Sequence, residues 1–298
     1  MSASTPLFSI VVPTYQRPAQ LAFCLEAIAD LDYPTDRFEV IVVDDGSGDP
    51  PEAAVAAVRG RVDVTLLAPP HRGPAAARNA GAAHAKGDVL AFTDDDCVPD
   101  ASWLRAFAQC VGTDATSAAG GRTLNARPRN IYSTTSQLLI DYLYAYYNTE
   151  SAQARFFTSN NLAVPTRAFW EVGGFDVTFP LAAAEDREFC DRWVHCGRRL
   201  VYAHDALIRH AHALTMGRFW RQHFNYGRGA FHFHRIRAAR GHDRMRIEPP
   251  AFYLGLLGHP FSHVPRRRTL ALVMLMMLAQ IANATGFFVE KRAATRLR

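Results

Sequence analysis

Three consecutive carboxylates, Asp94, Asp95 and Asp96, directly follow the apolar run at residues 89–93. Side by side at the end of a buried strand, they would repel one another unless a cation sat among them. A divalent metal is the natural partner. Carboxylate oxygens suit hard ions such as Mg2+ or Mn2+, which share their remaining positions with phosphates. Taken alone, such a run is more often a solvated acidic turn. A second acidic pair, Asp44 and Asp45, closes the apolar run at 40–43. A third, Glu185 and Asp186, opens a segment in which Phe189 and Trp193 fall on one helical face. The first turn of a helix keeps a carboxylate ionised, and an ionised carboxylate can take a proton from a hydroxyl; acids there also simply stabilise a helix start. His204, His210 and His212 lie close together in a β-like stretch, where alternation puts His210 and His212 on one face.

These residues need a scaffold, and the hydrophobic pattern supplies one. Residues 8–12 form a short β-branched run closed by Pro13, followed by a helical pattern with Leu21, Leu25 and Ile28 on one face. Residues 40–43 and 62–67 read as further strands around an Ala-rich helical stretch, and 75–86 and 89–93 as another helix and strand. Strands apolar on both faces that alternate with helices predict a parallel sheet covered on both sides. Tyr15, Asp45 and Asp94 to Asp96 then fall just past strand ends, where open α/β sheets bind ligands. Residues 113–158 carry no clear period. Their tyrosines, Tyr142, Tyr144, Tyr146 and Tyr147, read as packed aromatics in preference to a helix lining a site.

The 298-residue chain is 49% hydrophobic and 20% charged, which predicts a folded protein and excludes a largely disordered one. Its formal charge of +5 comes largely from arginine beyond residue 200, among them Arg218, Arg221, Arg228, Arg235, Arg237 and the run 266–268. No finger, ribonucleoprotein motif or helix-turn-helix accompanies them, so nucleic acid is not the expected partner; phosphates on a small ligand or anionic lipid headgroups are. Five cysteines without a C-x-x-C pair fit a reducing cytosol, and no secretory signal is visible at the N-terminus. Residues 269–289 are nearly all apolar between basic flanks, long enough to cross a membrane. Gln280 and Asn283 suit a buried helix instead, whereas the flanks favour membrane contact.

Five blocks in order give these features a common context: S-I-V-V-P-T-Y-Q-R-P at 9–18, V-I-V-V-D-D-G-S at 40–47, A-A-A-R-N-A-G at 75–81, G-D-V-L-A-F-T-D-D-D at 87–96 and A-E-D-R-E-F-C-D-R at 184–192. Over residues 8–212 the chain thereby resembles the family 2 glycosyltransferases. The resemblance implies a GT-A fold, a Rossmann-like α/β arrangement with a mixed, mainly parallel sheet flanked by helices. It also implies an inverting, metal-dependent transfer of sugar from a nucleoside diphosphate sugar, UDP-linked for preference, to an acceptor hydroxyl that is lipid-linked or part of a cell-surface glycan.

By the same resemblance, Pro13 and Tyr15 line the base, Arg17 lies near the phosphates, Asp45 accepts from a base N–H, and Arg78 sits under the nucleotide. Asp44 orders its turn. Asp94 contacts ribose or metal, Asp96 ligates Mg2+ or Mn2+, and Asp95 points either way. Asp186 is the general base. Glu185, Asn160 and Asn161 belong to the acceptor side, although Asn is equally a common turn residue. His210 either completes the metal site or is an ordinary hydrogen-bonded imidazole. The stretch 219–229 lacks the Q-x-x-R-W pattern of processive synthases, which implies single additions. A sugar-phosphate nucleotidyltransferase would need a G-x-G-T-R loop after the first strand, and residues 9–18 do not supply it. A catalytically silent scaffold at the membrane would not need Asp94, Asp96 and Asp186 together. The expected organisation is a catalytic domain at 1–215 and a basic, hydrophobic helical region at 216–298, held through 269–289 at the cytoplasmic face of the plasma membrane.

Overall fold

The computed structural model describes residues 5–111, 116–179, 183–241 and 248–296. Residues 1–4 and 113–115 and the Arg266 side chain, which entered the reading above, lie outside them. The chain order begins β1 (Phe8–Thr14), α1 (Pro18–Ala29), β2 (Phe38–Asp44), α2 (Glu52–Val58), β3 (Asp63–Leu67), α3 (Pro74–His84), β4 (Val89–Thr93) and β5 (Cys97–Pro99). It continues through α4 (Trp103–Val111), β6 (Ser117–Asn125), α5 (Ile131–Tyr147), β7 (Asn161–Pro165), α6 (Thr166–Val172), α7 (Glu185–His195) and β8 (Arg199–His210). Three helices close it: α8 (Met216–Ala239), α9 (Pro250–His263) and α10 (Arg266–Arg296).

Two compact units emerge. The first comprises Met1–Leu124, Tyr147–Pro180 and Asp186–Ala211, the second Asn125–Tyr146, Leu181–Glu185 and His212–Arg298. The second unit thus contains most of α5 together with α8, α9 and α10.

In the first unit eight strands lie in the order β3-β2-β1-β4-β7-β6-β8-β5. The block β3-β2-β1-β4 is parallel, whereas β7 runs antiparallel to β4 and to β6, and β5 antiparallel to β8. Every residue of β1, β2 and β4 is buried, as strands covered on both faces require. Chain order reverses direction at β1, which pairs with β2 on one side and β4 on the other, so the crevice at their C-terminal ends is a topological switch point. Pairing of β1 with β4 ends at Val11↔Phe92, and Pro13, which has no amide hydrogen to donate, lies just beyond it.

Helix placement follows from small residues and aromatic packing. A Cβ on Gly81 of α3 would stand 2.5 Å from Val11 Cγ1, so α3 rests directly on the centre of the sheet. Helix α7 is held by Phe189 and Trp193, both fully buried on its inner face, with the Phe189 ring 4.9 Å from that of Phe175.

Within the second unit α8 and α10 touch backbone to backbone. A Cβ on Gly227 would lie 1.8 Å from Asn283 O, and one on Gly286 would lie 1.9 Å from Phe224 O. Tyr142 and Tyr146 pack on Phe252 with centroids 5.2 and 4.8 Å away, and Tyr144 is buried, so these three tyrosines are packed aromatics.

Candidate active site

The three acids after β4 face three different ways, and each meets a different partner. Asp94 accepts from Arg78 Nη2 at 2.7 Å. Asp95 accepts from the Thr14 hydroxyl at 2.8 Å and from Arg17 Nη1 at 3.2 Å. Asp96 lies 3.2 Å from the same Arg17 nitrogen and 3.1 Å from His210 Nε2. The three acids follow one another into a turn beyond the strand, so each leaves the backbone in its own direction. The expected cation among the acids is therefore in part supplied by the chain: Arg17 faces two carboxylates where the sequence reading put it near phosphates. Asp95, left open above, turns inward and is nearly fully buried. Its desolvation pushes the carboxyl up to about 6, with the Asp96 charge adding to the rise and Arg17 and Thr14 opposing it.

The second strand end is built around Asp44 and Asp45. Asp44 accepts from the Ser47 amide and hydroxyl, ordering the turn as expected, and Ser47 Oγ in turn receives the Gln16 amide at 2.8 Å. Asp45 takes the amides of Arg72 and Gly73 at 2.8 and 2.9 Å, with His71 Nδ1 2.9 Å away. Gly46 is required here, because a Cβ would stand 2.7 Å from His71 N and φ is +79°. The loop so drawn in stacks the His71 ring on Tyr15, centroids 4.6 Å apart and planes 28° apart. Tyr15 remains 41% exposed, which leaves a flat aromatic surface beside Pro13 at the mouth of the crevice.

Asp186 stands in the first turn of α7 and accepts from the Arg187 amide at 2.7 Å. Burial pushes its carboxyl up; the Arg187 and Ser159 amides and the Arg78 charge pull it down, and Asp94 adds to the rise. Desolvation thus opposes the stabilisation that the amides and the Arg78 charge give the ionised form. Buried Arg78 is the shared neighbour, bonded to Asp94 and lowering Asp186, with its guanidinium 5.8 Å from the centre of the Phe175 ring. Glu185, the first residue of α7, is buried.

The remaining residues named from the sequence have the following surroundings. Asn161 is fully buried; its amide donates to Arg122 O and Ala206 O at 3.0 and 2.9 Å and accepts from Trp103 Nε1 at 2.8 Å. These bonds tie the sheet to α4. Asn160 accepts from Thr158 Oγ1 at 2.7 Å, a turn contact. Strand β8 ends at His210, so His212 lies beyond the alternation that paired the two, and His204 stacks on Tyr202.

Sequence reasoning passed over several residues that do the positioning. Asn79 exchanges both bonds with the Phe175 backbone, at 2.8 and 2.9 Å, fixing the loop at residues 173–176 to α3. Arg192 pairs with the buried Glu188 at 2.8 Å and donates to Gly174 O at 2.7 Å. Among the described residues, Gln16 and Ala184 are non-glycine residues with positive φ, 54° and 70°, and both flank the crevice residues just described. Asn79 and Arg192 sit inside two of the five blocks, which was the signal available for them.

The sheet end that gathers Asp94, Asp95, Asp96 and Arg78 lies within residues 9–173, which match the description Glycosyl transferase family 2; Asp186 lies beyond the matched residues. The chain belongs to glycosyl transferase family 2. Its relatives include glycosyltransferase AglE of Haloferax volcanii, 26% identical over 231 residues, 77% of this chain and 74% of that protein. Pre-mycofactocin glycosyltransferase of Mycobacterium tuberculosis is 33% identical over 190 residues, 61% of this chain and only 39% of its own length. Among solved structures, mannosyltransferase PcManGT from Pyrobaculum calidifontis in complex with GDP-Man and Mn2+ is similar with a TM-score of 0.63, over 98% of this chain and 81% of that one, at 21% identity. S. aureus TarS 1–349 in complex with UDP-GlcNAc gives 0.55 over 97% and 92%, at 19% identity. These two likenesses concern the fold. This family 2 glycosyltransferase therefore has the GT-A fold, and the crevice at β1 and β4 is its candidate catalytic centre.

Proposed function

We propose that the enzyme moves a sugar from a nucleoside diphosphate sugar to an acceptor hydroxyl in one inverting step, with Asp186 as the general base. The observation that carries this is the convergence of Arg78 on Asp94 and Asp186 at the switch point of the sheet. Asp186 takes the hydroxyl proton, the acceptor oxygen bonds to the anomeric carbon, and the bond from that carbon to the diphosphate oxygen breaks with its electron pair on the diphosphate. Burial makes Asp186 a stronger base than a solvated aspartate, while the Arg78 charge and two backbone amides favour its ionised form. The Tyr15–His71 stack offers its open face to the base. Asp45, whose oxygens each keep acceptor capacity, takes a base N–H.

The donor set fits a divalent cation. Asp96 and His210 offer a carboxylate oxygen and an imidazole nitrogen, with Cys97 within the same 4.8 Å group. The carboxylate oxygen and imidazole nitrogen suit a hard or borderline ion such as Mg2+ or Mn2+. Held by Asp96 and His210, such an ion would supply Lewis-acid stabilisation of the charge on the diphosphate. Arg17 would leave the carboxylates to meet the donor's phosphates.

The acceptor is taken to be a lipid-linked or cell-surface glycan, handled by the enzyme at the cytoplasmic face of a membrane. Support comes from five free cysteines and from the apolar helix at Arg267–Arg296. A thermal-shift panel of UDP, GDP and other nucleoside diphosphates with Mn2+ or Mg2+, followed by nucleotide-release assays on the matching sugars, tests the reading. One nucleotide should stabilise the fold in a metal-dependent way. No stabilisation by any of them, and no release, would contradict it.

A further inference from the structure

Helix α10 has two apolar faces. One is packed inside the second unit, where Leu272, Met276, Ala279 and Ala282 are fully buried. The other is open. Leu270, Met274, Met277, Ile281 and Phe288 follow one another at intervals of three, four or seven residues, which places them along one stripe, and each is at least 43% exposed. Only 28% of the most apolar window of this helix is buried, so it is not an ordinary core helix.

The packed face decides the orientation. Besides the glycine contacts with α8, Arg228 Nε lies 2.6 Å from Glu290 Oε2, and His232 Nε2 lies 3.3 Å from Glu290 Oε1. Helix α8 also presents exposed Arg221 and Arg235. Were α10 to cross a bilayer, α8 would be drawn in with these charges, where ionised side chains are strongly disfavoured.

Charge decides the occupant. Arg267 and Arg268 precede the stripe and Lys291, Arg292 and Arg296 follow it, all exposed. Glu290 is the one acid in the α10 sequence, and Arg228 and His232 flank it. A second copy laid along the stripe, parallel or antiparallel, would set cations against cations. Anionic headgroups complement both ends. We propose that α10 docks in the plane of an anionic bilayer, its stripe at the boundary of headgroups and acyl chains and its terminal cations on the headgroups. This rests on the membrane-surface reading above and adds the docking face, the lipid charge and the orientation.

The full chain would be floated with phosphatidylcholine vesicles, with and without phosphatidylglycerol, and bound protein extracted with alkaline carbonate. Nucleotide release from the donor is measured on the same preparation. Binding should require phosphatidylglycerol, weaken with salt and yield to carbonate. Met274→Glu with Ile281→Glu should weaken it by at least about tenfold, and Arg268→Glu with Arg292→Glu by about tenfold. Both pairs lie outside the catalytic crevice, so nucleotide release persists and reports folding. Resistance to carbonate would overturn the in-plane orientation. Wild-type binding by the apolar-face variant, or a solution dimer that Ile281→Glu dissolves, would overturn the docking face. Absence of binding to every vesicle would sink both membrane readings while nucleotide release still tests the transferase.

Discussion

The Thr14 hydroxyl donates to Asp95 Oδ2 at 2.8 Å across the gap that opens where β1 and β4 cease to pair. Both residues are nearly fully buried. The bond fixes the middle acid inward, so that Asp94 turns to Arg78 and Asp96 to His210. Thr14→Val keeps the shape and removes the donor. Leaving a buried carboxylate short of one bond should cost about 1–3 kcal/mol in urea unfolding, with weaker nucleotide binding. Unchanged stability and binding would mean that the acids are set by the backbone alone.

Asp96 should be the residue on which metal dependence turns. Asp96→Ala is expected to abolish the Mn2+-dependent part of nucleoside diphosphate affinity in calorimetric titration, and His210→Ala to weaken it. Retention of full Mn2+-dependent affinity by Asp96→Ala would remove this residue from the ligand set.

Asn161 should matter to folding and not to the acceptor. Asn161→Ala strands Trp103 Nε1 and two backbone carbonyls, at roughly 1–3 kcal/mol for each buried group left unpaired. Denaturation midpoints should fall sharply while KM for the acceptor holds in the folded fraction. A raised KM with normal stability would return Asn161 to the acceptor side.

Acid should weaken the helical unit through His223, which is buried and 3.2 Å from Ser136 Oγ. Burial, then His212, lowers it to about 4. A lowered histidine is neutral in the fold while the unfolded chain takes up protons below its ordinary value of about 6.5, so stability is full above that pH and falls as pH drops toward about 4. The loss amounts to up to about 3 kcal/mol. Urea unfolding between about pH 7 and pH 4.5 should show it, with a flatter dependence in His223→Gln. Equal pH slopes would place the acid sensitivity elsewhere.

Much of the parallel half was legible because β1, β2 and β4 are largely apolar runs that end in a polar residue. The runs at 8–12, 40–43 and 89–93 became β1, β2 and β4 with nearly their expected bounds. The antiparallel half was not, since β6 carries Ala118, Ala119, Gly120 and Gly121, and α5 mixes Ser, Thr and Tyr, which blurs both periods. Asp44 met its expected turn partner, because Ser47 lies only three residues away. Arg17 and Asn161 could not be assigned so, because their partners lie 78 or 79 and 39 to 58 residues away, and a side chain's choice between ligand and fold is made by tertiary contacts.

If Asp186 takes the acceptor proton, Asp186→Asn removes that function and little else. The amide keeps size and hydrogen bonding but cannot accept a proton. Transfer to acceptor, measured with saturating donor and metal, should fall by about 10²- to 10⁴-fold while donor affinity and unfolding midpoint stay near wild type. Transfer within a few-fold of wild type in the folded variant would contradict the account and make Glu185 the next residue to replace.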